Sequence, residues 1–360
     1  MSDFQQPQGA PNYPSDLPPQ REGRPVSFYL AIFLGLLLLV SGGLNLVLLV
    51  VSAFGSAAGG LGSSSIDNGN YEVVAVDGDR RAKDQILRIP IEGAIAEGAS
   101  PLLGGGGGSV SSLRRALRLA AREDEIRGVL LDINSPGGGV TDSDLIWQAI
   151  RAFRKETQKP VVALFGDIAA SGGYYVAAAC DRILARPTTI TGSIGVILSN
   201  TNFGEAAAKF GIHQENIVSE RTPYKDIMSP WRAMRDDERA ILTSIVDEMY
   251  DRFVDIVAEG RPSLTRERVV ELADGRIYSA DQALTAGLVD EIGSADDAYA
   301  VLRGLCGIET AQVVEQRRLP NFSDLLFGAS ARQPSLDKEL GALLQSSTGA
   351  KVLYYWPGGR

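Results

Sequence analysis

Short apolar runs alternate with amphipathic segments along the middle of this chain. GVLLDINS (128–135) and PVVALFG (160–166) are predominantly apolar over the length of a strand, which is typical of strands buried on both faces of a parallel sheet. Between them, DSDLIWQAIRAFRKE (142–156) has the apolar spacing of a helix. This alternation predicts an α/β domain with a largely parallel sheet flanked by helices.

A longer helical pattern covers residues 236–260, with acidic residues in its first turn and Gly260 at its end. Its apolar positions recur at helical spacing and form one stripe. They are Leu242, Ile245, Met249, Phe253 and Val257. The stripe predicts a face that is either buried in the domain core or in contact with another subunit.

The amino-terminal part has the composition of a membrane anchor. Residues 28–54 carry no charge and exceed the roughly 20 apolar residues needed to cross a bilayer. A cleaved signal peptide has an apolar core of only about 7–15 residues, so an uncleaved transmembrane helix at 27–54 is favoured. Arg21 and Arg24 precede the span, and no lysine or arginine follows it before Arg80. The flanking charge predicts a single-pass protein of the plasma membrane, with a cytoplasmic N-terminus and the remainder outside.

Composition predicts the other boundaries. Residues 1–26, rich in Pro, Gln, Gly and Ser, are expected to form a disordered cytoplasmic tail. Residues 55–84 begin with a Gly/Ser run and are expected to be a flexible linker. The α/β domain is predicted at 85–308, followed by a partly flexible C-terminal segment at 309–360. An apolar island in that segment, VLYYWPG (352–358), is a candidate to dock on the domain or on a neighbouring molecule.

Charge and composition exclude several classes of partner. The formal net charge is -9 and no basic stripe is present, which argues against nucleic acid, because phosphate binding requires clustered Lys and Arg. GGGGGS (104–109) lacks the Gly-Lys-Ser/Thr ending of a phosphate loop. Cys180 and Cys306 show no metal spacing, and the chain has one histidine, His213. We therefore expect neither a cofactor nor a metal; a disulfide between the cysteines stays an open alternative.

A glycine-rich turn follows the first buried strand. SPGGGV (135–140) comes directly after GVLLDIN and opens the next helix, which places bare backbone N–H groups at the carboxyl edge of a parallel sheet, where α/β proteins bind ligands. The turn is either a tight strand-to-helix connection or, in addition, an oxyanion hole, because glycine lets a carbonyl approach the backbone N–H closely.

Ser171 occupies the same kind of position after the strand PVVALFG. A serine at a helix start is usually an N-cap. However, Gly172 and Gly173 follow it in the predicted first turn, and each costs about 1 kcal/mol of helix stability relative to Ala. Two glycines there suggest that another group approaches closely, so Ser171 is a candidate nucleophile as well as a candidate cap.

The candidate bases are His213 and a lysine, since lysine is an alternative base for serine. His213 lies in a polar stretch typical of a solvated surface residue. Lys225, in TPYKDIMSP, has the most apolar surroundings in sequence among the lysines that follow the anchor, although Asp226 is adjacent. Its pKa would have to fall from about 10.4 to roughly 7–8, a change that costs about 4 kcal/mol.

Four motifs in this order, NSPGGGV, ASGGYY, TGSIGVI and YKDIMSP, resemble those of the bacterial signal peptide peptidase A family. Its members are membrane-anchored Ser-Lys serine proteases with the fold of Clp protease and the crotonases. The resemblance covers roughly residues 87–307. It implies that Ser171 is the nucleophile and Lys225 the general base, that the N–H groups of Gly138 and Gly172 form the oxyanion hole, and that Ser193 orients the lysine amine.

The resemblance also implies an assembly and a substrate class. Some family members carry two copies of the domain, with the serine and the lysine of a site coming from different copies. This chain has one copy, so a ring-shaped homo-oligomer is implied. The implied activity is endopeptidase cleavage of signal peptides after their release, and of other short apolar peptides, bound as an added strand.

Two other functions are also compatible with the sequence. A crotonase-like acyl-CoA enzyme would share the glycine-turn oxyanion hole, but the expected external location separates it from CoA, and Ser171 and Lys225 would have no role. A non-catalytic membrane scaffold of the same fold would need neither residue.

Overall fold

The computed structural model describes residues 33–39, 41–42, 71–97, 109–319 and 352–355. The chain divides into two compact units, Met1–Asn68 and Gly69–Arg360. In the first unit, residues 33–39 and 41–42 are helical. No helix within the described residues is both long and apolar enough to cross a membrane. The predicted transmembrane helix at 27–54 falls largely outside the described residues, as does the tail at 1–26.

The second unit alternates strands and helices. Its strands are β1 (Tyr71–Gly78), β2 (Gln85–Glu92), β3 (Ile126–Ser135), β4 (Gly137–Gly139), β5 (Val161–Ala170), β6 (Arg182–Ala185), β7 (Ile190–Gly192), β8 (Ile197–Leu198), β9 (Ile277–Ser279), β10 (Glu291–Ile292), β11 (Gln312–Arg318) and β12 (Val352–Tyr355). Its helices are α1 (Ser109–Arg122), α2 (Val140–Thr157), α3 (Gly172–Ala177), α4 (Gly204–Lys209), α5 (Asp236–Gly260), α6 (Arg266–Leu272), α7 (Ala280–Ala286) and α8 (Ala295–Cys306).

One sheet organises this unit, and it is mostly parallel. In the described part of the chain it has nine strands, with the main order β1-β11-β2-β3-β5-β6-β10. The pairings from β11 through β10 are all parallel, whereas β1 pairs antiparallel with β11 at the edge. The strand β7 continues from β6 to pair with the last residues of β5. The predicted α/β fold with a largely parallel sheet flanked by helices is confirmed.

The central strands are buried on both faces, which explains their unbroken apolar runs. Along β3, Val129 and Leu131 belong to a core cluster that includes residues of α1 and α2, whereas Leu130 belongs to a second cluster on the opposite face with Leu302 of α8. All four side chains are inaccessible to solvent. Each such burial contributes about 1.5–3 kcal/mol, so packing of helices on both faces stabilises the strands that lead to the carboxyl edge of the sheet.

Two segments contain strands that the sequence analysis did not predict. The strand β1 lies within residues 55–84, and β11 and β12 lie within residues 309–360. An edge strand such as β1 is half exposed, so its apolar pattern is weaker than that of a central strand. Its pairing partner is far away in the sequence, so the pairing has no local signal.

The long helix α5 spans the predicted residues, but its apolar stripe is divided. Phe253 and Val257 are fully buried, whereas Ile245 near the other end is 38% exposed. The second half of the stripe is therefore core, and the first half lies at the surface.

Gly260, the last residue of α5, provides a test of this packing. A Cβ atom there would lie 2.2 Å from the carbonyl oxygen of Ala178, so Gly260→Ala should lower the free energy of unfolding by about 1–3 kcal/mol through overpacking. A Cβ atom on Gly304 in α8 would meet no neighbouring atom within 4 Å, and Gly304→Ala should raise stability by up to about 1 kcal/mol. Urea denaturation of both variants checks this. Equal stability of the two variants would contradict the tight contact.

Candidate active site

Ser171 lies at the carboxyl end of β5 and at the N-cap position of α3, but it does not act as a cap. Its backbone has φ 52° and ψ −114°, and its side chain makes no capping hydrogen bond. Its N–H donates to the carbonyl of Gly192 at 2.7 Å, and its carbonyl accepts from the N–H of Tyr175 at 2.9 Å. A non-glycine residue held in such a conformation costs of order 1–3 kcal/mol, and strained residues of this kind cluster at functional sites. The cap hypothesis is therefore wrong, and the nucleophile hypothesis stays open.

The helix α3 is short and fully buried, and two tyrosines fix it in place. The hydroxyl of Tyr174 donates to the carbonyl of Leu288 at 2.7 Å, and the hydroxyl of Tyr175 donates to the Asp144 carboxylate at 2.6 Å. Burial raises the pKa of Tyr174, so its phenol remains a neutral donor. These anchors explain how a helix with two glycines in its first turn is held beside Ser171.

The bridge between β4 and Ile95 determines which way the Gly138 N–H points. The N–H of Ile95 donates to the carbonyl of Gly137, and the N–H of Gly139 donates to the carbonyl of Ile95, both at 2.9 Å. Because successive N–H groups of an extended strand point in opposite directions, the Gly138 N–H is directed away from Ile95. A Cβ atom on Gly138 would lie 2.0 Å from the Ile95 carbonyl oxygen, so only glycine fits this position.

Gly172 and Gly138, the two residues of the predicted oxyanion hole, are neighbours in space. A Cβ atom on Gly172 would lie 3.1 Å from the backbone nitrogen of Gly138 and 2.5 Å from the hydroxyl of Ser143. The Gly172 N–H belongs to the first turn of α3, where a helix provides no acceptor for it. The geometry therefore brings two backbone donors beside Ser171.

Ser143 is not one of the predicted site residues, and its place beside Gly172 comes from the fold. It is fully buried, and its hydroxyl donates to the carbonyl of Gly139 at 2.9 Å. Ile95, which fixes the direction of the Gly138 N–H, was not identified at all. Its contact with β4 is an isolated bridge, for which the sequence has no signal.

Ser193 lies beside Ser171 through the pairing of β5 and β7. Ala170 and Gly192 are register partners, and Ser193 is the next residue. It is 9% exposed, has φ 50°, and its N–H donates to the carbonyl of Arg276 at 2.7 Å. The structure thus brings together four of the five predicted site residues: Ser171, Gly138, Gly172 and Ser193.

Lys225 is the fifth, and it lies on a loop rather than on the sheet edge that holds the other four. It is exposed on the loop between α4 and α5, whereas Ser171 is 1% exposed. Among the hydrogen bonds and ion pairs of the described residues, none joins Lys225 to Ser171. His213, the other candidate base, is also exposed.

The loop that carries Lys225 is fixed to α5 by Arg232. The Arg232 guanidinium donates to both carboxylate oxygens of Asp226, at 3.0 and 2.9 Å, and to both oxygens of Glu238, at 2.8 and 2.5 Å. Glu238 is inaccessible to solvent and also accepts from the N–H of Arg235 at 2.9 Å. The hydrogen bonds from Arg232 lower the pKa of Glu238 to about 2 and also lower the pKa of Asp226. An ionised pair of carboxylates therefore holds the loop at neutral pH.

Neither cysteine takes part in the candidate active site. Cys180 is buried and Cys306 partly buried, and the two are not bonded to each other. Burial raises the pKa of both thiols, which keeps them protonated and unreactive. In the part of the chain that the structure describes, no group of three or more His, Cys, Asp or Glu could hold a metal ion.

Comparison with known proteins points to one family. The family model described as Peptidase family S49 matches residues 153–309. A putative protease of Synechocystis is 39% identical over 231 residues, 64% of this chain and 78% of the relative. A putative signal peptide peptidase SppA of Enterococcus faecium is 33% identical over 312 residues, 82% of this chain and 88% of the relative. Protease 4 of Haemophilus influenzae is 34% identical over 241 residues, which are 67% of this chain but 38% of that longer protein.

The role of Arg232 can be tested without an activity assay. Arg232→Gln removes the guanidinium group that joins Asp226 to Glu238. We therefore expect the backbone amides of residues 224–235 to exchange hydrogen at least about tenfold faster. Arg221→Gln, at an exposed position on the same loop, is the matched control and should leave exchange unchanged. Equal exchange in both variants would show that Arg232 does not hold the loop.

The same loop should open in acid. The pKa of Glu238 in the folded chain, about 2, lies below its ordinary value of about 4.3. Its ion pairs therefore contribute full stability above the ordinary value, and the contribution is lost as pH falls through the folded-state pKa. Hydrogen exchange of the loop at pH 5, 3 and 2 should show protection declining across this window. Unchanged protection at the lowest pH would contradict the assignment.

Proposed function

Because this chain belongs to peptidase family S49 and is a protease related to signal peptide peptidase SppA, we propose that it is a membrane-anchored serine endopeptidase with a Ser171–Lys225 dyad. The observation that carries the proposal is the strained, buried Ser171 beside the N–H groups of Gly138 and Gly172. A nucleophile held next to two preorganised donors is the arrangement that acyl transfer requires.

The proposed reaction uses these groups in turn. The Ser171 hydroxyl attacks the substrate carbonyl carbon while its proton passes to the neutral amine of Lys225. The negative charge that develops on the carbonyl oxygen is stabilised by the N–H groups of Gly138 and Gly172, and loss of one such donor typically lowers the rate about 10²–10³-fold. The lysine then protonates the leaving amine, and water hydrolyses the acyl-serine by the same route.

Lys225 can act as base only if it reaches Ser171 and is neutral. A base must lie about 2.6–3.2 Å from the group it deprotonates, and Lys225 is exposed on its loop. We propose that the lysine of each site comes from a neighbouring copy. Contact with that copy would remove water from around the Lys225 amine, and loss of water disfavours a charged amine. Ser193, beside Ser171, would orient the amine by a hydrogen bond.

Exposed apolar residues around Lys225 support such an assembly. Phe210 is 82% exposed, Ile212 57% and Ile217 96%, all on the segment that leads to Lys225. Ile241 and Ile245, on the surface half of α5, are 37% and 38% exposed. Apolar surface of this extent commonly marks a protein interface. A ring of copies would cover it and complete each site.

The proposed substrates are extended apolar peptides, such as released signal peptides. The edge of β4 opposite Ile95 lies next to Ser171 and pairs with the extended segment β12, and a substrate peptide would add there as a strand in its place. A cavity of about 580 Å³ lies beside β8 and is lined mainly by apolar residues. They include Ile197, Leu198, Leu242 and Val246. Apolar side chains of a bound peptide would be favoured there.

The proposed location is the outer face of the plasma membrane. The uncharged segment at 28–54 would anchor the chain in the lipid bilayer, with Arg21 and Arg24 on the cytoplasmic side. Such an anchor would place the peptidase close to apolar peptides released from the same bilayer.

The dyad is tested by paired substitutions in the full chain. Ser171→Ala and Lys225→Ala should each lower hydrolysis of short apolar peptide esters by a factor on the order of 10³ or more. Ser199→Ala and Lys209→Ala, exposed residues of the same types nearby, are the controls and should keep full activity. The wild-type rate should rise with pH, because only a neutral amine can accept the serine proton. Activity retained in Lys225→Ala would move the base to another residue, and inactivity of every form would favour the scaffold.

Mixing the two inactive variants tests whether the dyad forms between copies. If subunits exchange freely, about a quarter of the sites in an equal mixture combine an intact Ser171 with an intact Lys225 of the neighbour, so about a quarter of wild-type activity should return. A dyad formed within one chain gives no recovery. A strictly monomeric chain with full activity would likewise contradict the ring.

A further inference from the structure

The Asp144 carboxylate, in the second turn of α2, joins three helices. Its oxygen Oδ1 accepts from the hydroxyl of Tyr175 in α3 at 2.6 Å and from the Nε–H of Arg252 in α5 at 3.0 Å. Its other oxygen, Oδ2, accepts from the side-chain amide of Gln148 at 2.5 Å. The Asp144 side chain is 18% exposed and Tyr175 is inaccessible to solvent. A hydroxyl that donates to a carboxylate over this distance forms a charge-assisted hydrogen bond, about twice as strong as one between neutral groups.

This hydrogen bond connects the two segments that carry the candidate oxyanion donors. The helix α2 follows directly on β4, which contains Gly138, and α3 begins with Gly172 directly after Ser171. The backbone N–H of Tyr175 donates to the carbonyl of Ser171 at 2.9 Å. Tyr175 therefore contacts the candidate nucleophile through its backbone and α2 through its side chain.

The helix α5 contacts both partners of the hydrogen bond. The Tyr175 ring packs against the Phe253 ring, with centroids 4.9 Å apart. Arg252, the preceding residue of α5, forms the ion pair with Asp144. The ring contact fixes the direction of the tyrosine side chain, and the ion pair offsets the cost of a carboxylate that is largely removed from water.

We propose that Asp144 is a positioning residue, which holds α3 against α2 through Tyr175 and so sets the distance between the N–H groups of Gly138 and Gly172. The catalytic consequence rests on the proposed peptidase function, whereas the joining of the helices does not. Both donors must lie about 2.7–3.1 Å from the oxyanion of the transition state. A displacement of α3 by about 1 Å would therefore lower the rate on the order of 10²-fold.

The first test compares Asp144→Ala with Glu259→Ala in the full chain. Glu259 of α5 pairs with Arg151 of α2, so this control breaks an ion pair between the same two helices and leaves the Tyr175 hydrogen bond in place. With a short apolar peptide ester, Asp144→Ala should lower kcat about 10–100-fold and change KM less than about twofold. Glu259→Ala should behave as wild type. A lower melting temperature for Asp144→Ala, with kcat unchanged where the variant is fully folded, would overturn the proposal.

A double-mutant cycle tests whether Asp144 acts through Tyr175. Tyr175→Phe removes the hydroxyl and keeps the ring that packs on Phe253. If the hydrogen bond is the route, Asp144→Ala and Tyr175→Phe together should give the kcat of either single variant. Asp144→Asn keeps an acceptor for the hydroxyl and should recover most of the wild-type kcat. Effects that multiply in the double variant, or no recovery by Asp144→Asn, would overturn the proposed route.

Hydrogen exchange tests the joining of the helices apart from catalysis. In a Ser171→Ala background, the amides of residues 172–178 should exchange faster when Asp144→Ala is added and should be unchanged when Glu259→Ala is added. Faster exchange in a chain whose wild type hydrolyses no peptide would support the role of Asp144 in holding α3 and would reject only the peptidase function. Unchanged exchange in Asp144→Ala would overturn the proposal, whatever the activity.

Discussion

The parallel pairing of β3 with β5 is the interaction on which the candidate site depends. The two strands pair from Val129 with Val161 to Ser135 with Ala169, with an irregularity in register before the last pair. Both strands are buried on both faces, so neither can shift by one residue without moving a complete set of apolar side chains out of its cluster. Since both strands end at the same edge, this register places the β4 glycines next to Ser171.

Backbone strain is present at two residues of the candidate site, Ser171 and Ser193. In the described part of the chain, non-glycine residues with positive φ are Gln158, Ser171, Ser193 and Met228. Two of them are adjacent at the site, and Met228 lies on the loop of Lys225. Each strained residue costs of order 1–3 kcal/mol, which the surrounding sheet and the buried tyrosines of α3 must offset. Strain that is maintained in this way is consistent with a site whose geometry matters more than its local stability.

The proposed dyad is divided between a rigid and an exposed part of the molecule. Ser171 and the two glycine donors are built on the sheet, whereas Lys225 is on a loop whose shape depends on the ion pairs of Arg232. Such a division would let assembly control activity, because a chain without a neighbour would lack its base.

The sequence by itself determined the α/β fold and the four motifs of the site, because a strand buried on two faces must be apolar throughout and a close backbone approach requires glycine. The sequence allowed two interpretations of Ser171, an N-cap or a nucleophile, because a serine at the start of a helix is compatible with both. Only the backbone angles of Ser171 and the missing capping bond decided against the cap. The pairing of β1 with β11 and of β12 with β4, and the bridge from Ile95 to β4, were decided by the tertiary structure. These features join residues far apart in sequence through backbone hydrogen bonds. Backbone groups are the same in every residue, so no local pattern of side chains encodes them.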